Sequence, residues 1–312
     1  MRSRRRCAHV QRAPALSGAG ASAIVTPSSS APAKLTSSEE SSAIEAARSG
    51  VSLKGVYLET LSWAEAEPLL RSDPLIVIPV GAATKEHGPQ LPLNTDRLLA
   101  DHFARRLAER VAVVLLPTVT YGYFPHFSPF PGSTHLEAHT FEATMREIIL
   151  SMHRHGPRRF LVLNTGVSTF PVLEVVARDL DRVHRLLVGV TNIGQLGGPR
   201  ASEVLEQTRG SHADEAETSM LMVIAPDSVR RDRLVAEMPD RPASRGVFVP
   251  PTYHREPGPG HSATGVYGDA TLASETKGKI IIDAIVEDLV VAAERLSTFP
   301  IAPTRPAIPW PA

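Results

Sequence analysis

The chain has 312 residues, with 33 Lys and Arg against 33 Asp and Glu, 42% hydrophobic and 21% charged residues, an ordinary globular composition. Zero formal net charge gives no electrostatic reason to expect a nucleic acid or an anionic membrane as partner. The single cysteine, Cys7, excludes an intrachain disulfide, a thiolate zinc cluster and a cysteine nucleophile in the folded part, so any metal must use His, Asp and Glu.

Residues 1–45 are rich in Arg, Ser, Ala and Pro, hold no acid before Glu39 and show no periodicity that buries a face, so they read as a disordered arm. Such a start resembles a transit peptide and its arginines resemble an export signal. The apolar core of a secretory signal is missing, however, and the expected location is cytoplasmic, with targeting by the arm left open. Residues 46–298 read as one α/β domain, and 299–312 as a tail in which Pro300, Pro303, Pro306, Pro309 and Pro311 forbid a helix or a central strand.

Within the domain, short β-branched runs alternate with stretches of helical period, the pattern of a mostly parallel sheet covered by helices. The expected strands are Leu75 to Val80, Val111 to Leu116, Phe160 to Leu163 and Leu186 to Val190. The expected helices are Arg97 to Arg110, Thr140 to His155 and Gly278 to Leu296. The longest uncharged apolar stretch, Leu75 to Ala83, is under half of the roughly 20 residues a bilayer requires, so it reads as a buried strand. Chemistry in such sheets gathers in the loops past the carboxyl ends of the strands.

The loop after the first of these strands, Gly81 to Asp96, packs Lys85, Glu86, His87 and Asp96 into a Gly- and Pro-shaped segment. Two carboxylates and an imidazole suit Zn, Mn or Fe, and Asp96 at the start of a helix could bridge two ions. The same residues also fit a plainer assignment, in which Asp96 or Thr95 caps the helix and Glu86 pairs with Lys85. A second loop, Tyr121 to Thr134, offers Tyr121, Tyr123, Phe124 and Phe127 as pocket walls and His126 as its titratable group, or else carries rings for the core or a subunit contact. His135 and His139 stand one turn apart and read as surface residues. The third segment, Gly210 to Leu221, enters a helix with acids in its first turn, where His212 and Glu215 share a face and suit a general acid/base beside a metal ligand.

Taken together, these loops resemble the creatininase family, also called creatinine amidohydrolase-like proteins, from about Leu61 to Leu296. Members carry Glu-Gln-His-Gly-Pro-His-Leu-Pro-Leu-x-x-Asp after the first strand, matched here at His87, Gly88, Pro89, Leu91, Pro92, Leu93 and Asp96. Their Phe-Pro-Gly-Thr element is similar to Phe130-Pro-Gly-Ser133, their His-Ala-Gly-Glu-x-Glu-Thr-Ser motif to His212–Ser219, and a late Gly-Val-x-Gly-Asp element to Gly265–Asp269. The resemblance implies a three-layer α/β/α sandwich and a homo-oligomer, with a hexamer as one form. It also implies hydrolysis of an amide or cyclic amide C–N bond, in a small molecule or a peptide-derived substrate, with one or two divalent ions of Zn or Mn, Fe being a further option.

This chain departs from the family at two places. Lys85 fills the slot of the family acid while Glu86 stands one residue later, which in an extended segment turns the carboxylate to the opposite side. After the Phe160 strand the family has Asn-x-His-Gly-Gly-Asn, with a Glu two residues past the histidine in some members; here Gly166 and Ser168 occupy those slots. The resemblance therefore implies metal ligation by His87 and Asp96, with Glu86 and Glu217 as further ligands and Glu215 and His126 as reserves. From the residues themselves, catalysis is expected from His212, Glu215 and Lys85, and substrate contact from Tyr121, Tyr123, His126 and Phe127. Creatinine itself is not the expected substrate, because Thr165 and Val167 replace the aromatic residues of that loop. Three readings stay open: a hydrolase rebuilt around one metal, which is favoured; an enzyme in which the Lys85 charge replaces a metal; and a metal-free paralogue that acts as a binding or structural subunit.

Overall fold

The computed structural model describes residues 53–239 and 260–301. The expectations for the arm at 1–45, and for the tail beyond Ile301, lie outside the described residues. The strands are β1 (Val56–Tyr57), β2 (Leu75–Val80), β3 (Val114–Leu115), β4 (Arg159–Asn164), β5 (Leu187–Val190), β6 (Ala236–Glu237) and β7 (Gly268–Asp269). The α-helices are α1 (Trp63–Arg71), α2 (Thr95–Arg110), α3 (Ala138–His153), α4 (Phe170–His184), α5 (Gly198–Ser202), α6 (Glu215–Ile224) and α7 (Glu275–Thr298). Five strands form one sheet in the order β1-β3-β2-β4-β5 with every pair parallel, and β6 and β7 make a separate antiparallel ribbon.

The sheet is covered on both faces because its strands are apolar at consecutive positions. Side chains alternate, so Val77, Leu115, Leu161 and Leu163 pack with Phe103 of α2, Leu221 of α6 and Ile285 of α7. Ile76, Ile78, Phe160 and Val162 face the other way, onto Phe141 and Met145 of α3 and Leu173 and Val176 of α4. The chain is thus a three-layer α/β/α sandwich, as expected. Its central strand β2 is buried at all six positions and pairs with β4 from Leu75 opposite Arg159 to Val80 opposite Asn164. The carboxyl ends of these two strands therefore stand side by side.

Three elements differ from the expectation. The strand expected over Val111 to Leu116 pairs only at Val114 and Leu115, because the Val111 amide donates to Leu107 O and closes α2. Helix α1 starts on a capping box, in which Ser62 and Glu65 satisfy each other's backbone amides. Helix α4 places Leu173, Val176 and Leu180 on its buried face, an i, i+3, i+7 pattern present in the sequence.

Helices α6 and α7 touch closely, since a Cβ on Gly278 would lie 2.0 Å from Ser219 O. A Gly278→Ala substitution gains helix propensity but forces two backbones apart, and overpacking of this kind costs about 1–3 kcal/mol. A lower melting temperature in thermal unfolding is the expected result.

Candidate active site

The loop leaving β2 is pinned against the first turn of α2. Arg97 N donates to Ala82 O, Lys85 N donates to Leu93 O, and an added Cβ on Gly81 would lie 2.3 Å from Asp96 O. This brings Lys85, Glu86, His87 and Asp96 together below the surface, with relative exposures of 3%, 6%, 0% and 2%. The extended backbone sends alternate residues to opposite sides. Lys85 Nζ donates to Asp96 Oδ2 at 2.8 Å, while Glu86 turns away and its Oε2 lies 3.2 Å from His212 Nε2. Room for the Glu86 carboxylate exists because residue 265 is glycine: a Cβ there would fall 2.0 Å from Glu86 Oε1, and its φ of +83° suits glycine. The Gly88 amide donates to the same carboxylate.

His87 lies between two acceptors. Its Nδ1 is 2.9 Å from Lys85 O and its Nε2 is 3.0 Å from Asp96 Oδ1. A carbonyl only accepts, so Nδ1 carries a proton. Burial opposes a charge on His87, but the Asp96 carboxylate beside it outweighs burial and moves its pKa upward. Burial also opposes ionisation of Asp96, yet Lys85 and His87 together hold its carboxyl well below the usual range. Lys85 remains an ammonium for the corresponding reason, with Asp96, Glu217 and Glu86 overcoming the cost of its burial. Glu86 is likewise held below the usual carboxylate range against burial, chiefly by His212.

His212 arrives from the segment before α6. Its backbone pairs with Tyr267, whose amide donates to His212 O at 2.9 Å, so the late Gly265–Asp269 element positions this imidazole. Asp214 caps α6 by accepting from the Ala216 and Glu217 amides, and burial next to Glu217 raises its pKa to about 6. Glu217 turns back, accepts from the Ala213 amide and places Oε2 3.8 Å from His212 Nδ1. His87, His212 and Glu217 each offer one ligand atom within 4.8 Å of the others.

Glu215 does not join this group. Its carboxylate is fully buried and accepts from the Glu206 and Gln207 amides and from Lys277 Nζ, which carries it to the α6–α7 side. Of the aromatic loop, Phe127 lies over both His212, with ring centroids 4.4 Å apart, and Lys85, whose Nζ is 4.9 Å from the ring. Tyr121 is half exposed, and Tyr123 packs towards the α3 and α4 side of the core. His126 is half-buried in the short 3-10 turn Pro125–Phe127. His139 is exposed and His135 is half-buried with its ring against Phe124.

The donor set fits one divalent ion. Each histidine has one nitrogen tied to a fixed acceptor, His87 Nδ1 to Lys85 O and His212 Nε2 to Glu86. An outer acceptor of this kind orients a metal-binding imidazole, and the other nitrogen of His87, Nε2, is shared with Asp96 Oδ1 at 3.0 Å. Two imidazoles and a carboxylate suit Zn, Mn or Fe. A second ion at Asp96 does not fit. The Lys85 ammonium already lies on Asp96 Oδ2, and Gly166, from which an added Cβ would stand 3.7 Å from that oxygen, brings no donor side chain. The cavity between Asp96, Gly166 and Ser168 measures about 10 Å³, room for about one water.

The family model described as Creatininase: Creatinine amidohydrolase matches residues 59–293. A creatinine amidohydrolase of Pseudomonas putida is 29% identical over 257 residues, spanning 77% of this chain and 96% of that protein. A 3-dehydro-scyllo-inosose hydrolase of Thermotoga maritima is 25% identical over 280 residues, 81% of this chain and 88% of that protein. A mycofactocin precursor peptide peptidase of Mycobacterium ulcerans is 29% identical over 236 residues, 73% and 87% respectively. Among solved structures, a creatininase in its Mn form superposes with a TM-score of 0.66 at 26% identity, covering 78% of this chain and 99% of that one. A Zn–Zn form of a creatininase variant gives 0.65 at 26%, covering 78% and 98%.

The buried charges set a pH window for stability. Asp96 has a lowered pKa, so its contribution is present above about 3.9 and is lost as pH falls through the folded value. His87 has a raised pKa, so its contribution is present below about 6.5 and is lost as pH rises through the folded value. Asp96→Asn leaves two cations buried without their counter-charge, at a cost of about 3–5 kcal/mol. In urea unfolding, the gap between wild type and this variant is expected to be widest between those limits and to narrow at both ends, a Lys85–Asp96 remainder persisting at high pH.

Glu215 generates a separate expectation. Lys277→Met removes the buried counter-charge of its carboxylate and costs about 3–5 kcal/mol, read as a lower melting temperature in thermal unfolding.

Proposed function

The chain belongs to the creatininase family, and from that premise we propose that it hydrolyses a C–N bond of a small cyclic amide or a peptide-derived amide with the help of one divalent ion. The observation that carries this reading is the convergence of His87, His212 and Glu217, with the outer nitrogen of each histidine held by a fixed acceptor. The amidohydrolase and peptide peptidase relatives support C–N hydrolysis, the inosose hydrolase supports hydrolysis without naming that bond, and solved creatininases in Mn and Zn–Zn forms support the type of ion.

Hydrolysis adds water across the C–N bond, so the site must take a proton from water and return one to the leaving nitrogen. When bound by His87 Nε2, His212 Nδ1 and Glu217, the ion supplies Lewis-acid polarisation of the amide carbonyl and a lowered pKa for water. Glu217 would hold the ion through Oε2, which also accepts from the Ala213 amide, and its other oxygen would be the base that takes the water proton and hands it to the nitrogen. The Lys85 ammonium, kept charged by Asp96, is the fixed positive charge facing the oxyanion. Phe127 roofs both Lys85 and His212 and excludes water once a substrate is in place. His212 thus acts as an ion ligand in this reading, and Glu86 as the residue that orients it.

Metal quantification on the full chain, coupled to amide hydrolysis over a panel of hydantoins, lactams and short peptide amides, tests the assignment. One ion per chain is expected, and His87→Ala and His212→Ala should each lose it. A metal-free protein that still hydrolyses one of these amides would overturn the reading in favour of Lys85 acting alone. Retention of the ion by His212→Ala, with turnover down by about 10²- to 10⁴-fold, would return His212 to an acid/base role.

A further inference from the structure

Gln90 stands three residues past His87 in the loop after β2 and is fully buried. Its backbone carbonyl accepts from the Arg230 amide, while its side-chain Nε2 donates to Ala213 O at 2.7 Å and reaches Thr218 Oγ1 at 3.4 Å. A carbonyl only accepts, so the amide nitrogen is the atom that faces Ala213. The other end of the side chain gains nothing, since Oε1 is buried and has no hydrogen-bond partner among the described residues. A half-satisfied amide is a costly way to fill interior volume, and a methionine would fill it without that cost. The reason for a polar side chain at position 90 therefore lies in what its nitrogen holds.

Ala213 has a φ of +47°, in the left-handed region that a residue with a Cβ rarely adopts. It is fully buried and stands between His212 and Asp214, the cap of α6. Both of its main-chain polar groups are tied to side chains, the amide donating to Glu217 Oε2 and the carbonyl accepting from Gln90 Nε2. Without the Gln90 donor the carbonyl would be stranded in the interior, and rotation of Ala213 out of the left-handed region would relieve both the stranded group and the strained backbone. That rotation would carry the Ala213 amide off Glu217 and turn the neighbouring His212 away from Glu86. His87 and Gln90 share one loop, and Ala213 lies 123 residues after Gln90 between His212 and Glu217. The bond from Gln90 to Ala213 is thus a direct tie between the two halves of the donor set.

We propose that Gln90 is a positioning residue of this site: by holding Ala213 in its left-handed conformation it keeps His212 and Glu217 in register with His87. The proposal rests on the one-ion reading of those three residues.

The probe is Zn alone, added to the full chain after treatment with a chelator, with affinity read by competition against a chromophoric chelator and local order read by hydrogen exchange over residues 210–218. Gln90→Met should weaken Zn binding about 10- to 100-fold, the effect of losing a group that orients a ligand. It should also speed exchange in that segment before Zn is added. The same substitution in an Ala213→Gly background should cost less than about three-fold, because glycine takes the left-handed conformation unaided. Should Gln90→Met not fold, Gln90→Leu, equally without a donor, takes its place in both backgrounds. Equal losses of affinity in the two backgrounds overturn the proposal, as does unchanged exchange over 210–218. A Gln90→Met protein that melts at a lower temperature but binds Zn as the wild type does also overturns it, and makes Gln90 a core residue only. A wild-type chain that takes up no Zn overturns the one-ion reading itself and this proposal with it.

Discussion

Everything at the centre of this molecule is organised by one buried carboxylate. Asp96 sits at the start of α2 with 2% exposure, and two positively charged groups approach its two oxygens, Lys85 at Oδ2 and His87 at Oδ1. An isolated ion in that position would be untenable. The three groups make each other's burial possible, and they do so only if the loop after β2 is held close enough for side chains eleven and nine residues away to meet the helix. Gly81 permits that approach, and the backbone bonds from Arg97 and Lys85 fix it. The position of the His87 imidazole is thus a by-product of charge balance inside the fold.

Much of this was legible in the sequence, for identifiable reasons. The apolar run Leu75 to Val80 fixes β2 because six consecutive buried positions leave no other structure of that length. The alternation of an extended segment also correctly separates Lys85 from Glu86, sending one to Asp96 and the other to His212. The fate of Glu215 was not legible. Its spacing from His212 fits a shared helix face, but its partner is Lys277, sixty-two residues further on, and no local pattern signals a pairing across two helices. The role of Tyr267 was hidden for the same reason, since the main chain that places His212 comes from a segment more than fifty residues later. Helix α4 is a different case. Its buried face was there to be read, and the short 3-10 turn Val167–Thr169 running straight into it blurs its start.

The pairing of Glu86 with glycine at 265 reaches beyond this chain. A carboxylate at position 86 occupies the volume that any side chain at 265 would need, and the left-handed backbone there already disfavours a side chain. The two positions cannot vary in any order. A lineage that moves its acid from the strand-end slot to the next residue must already hold glycine at 265, whereas one that later gives up the acid at 86 relaxes only the demand for space and keeps the demand on φ. Among relatives, then, an acidic residue at 86 should always coincide with glycine at 265, while glycine at 265 should occur with any residue at 86.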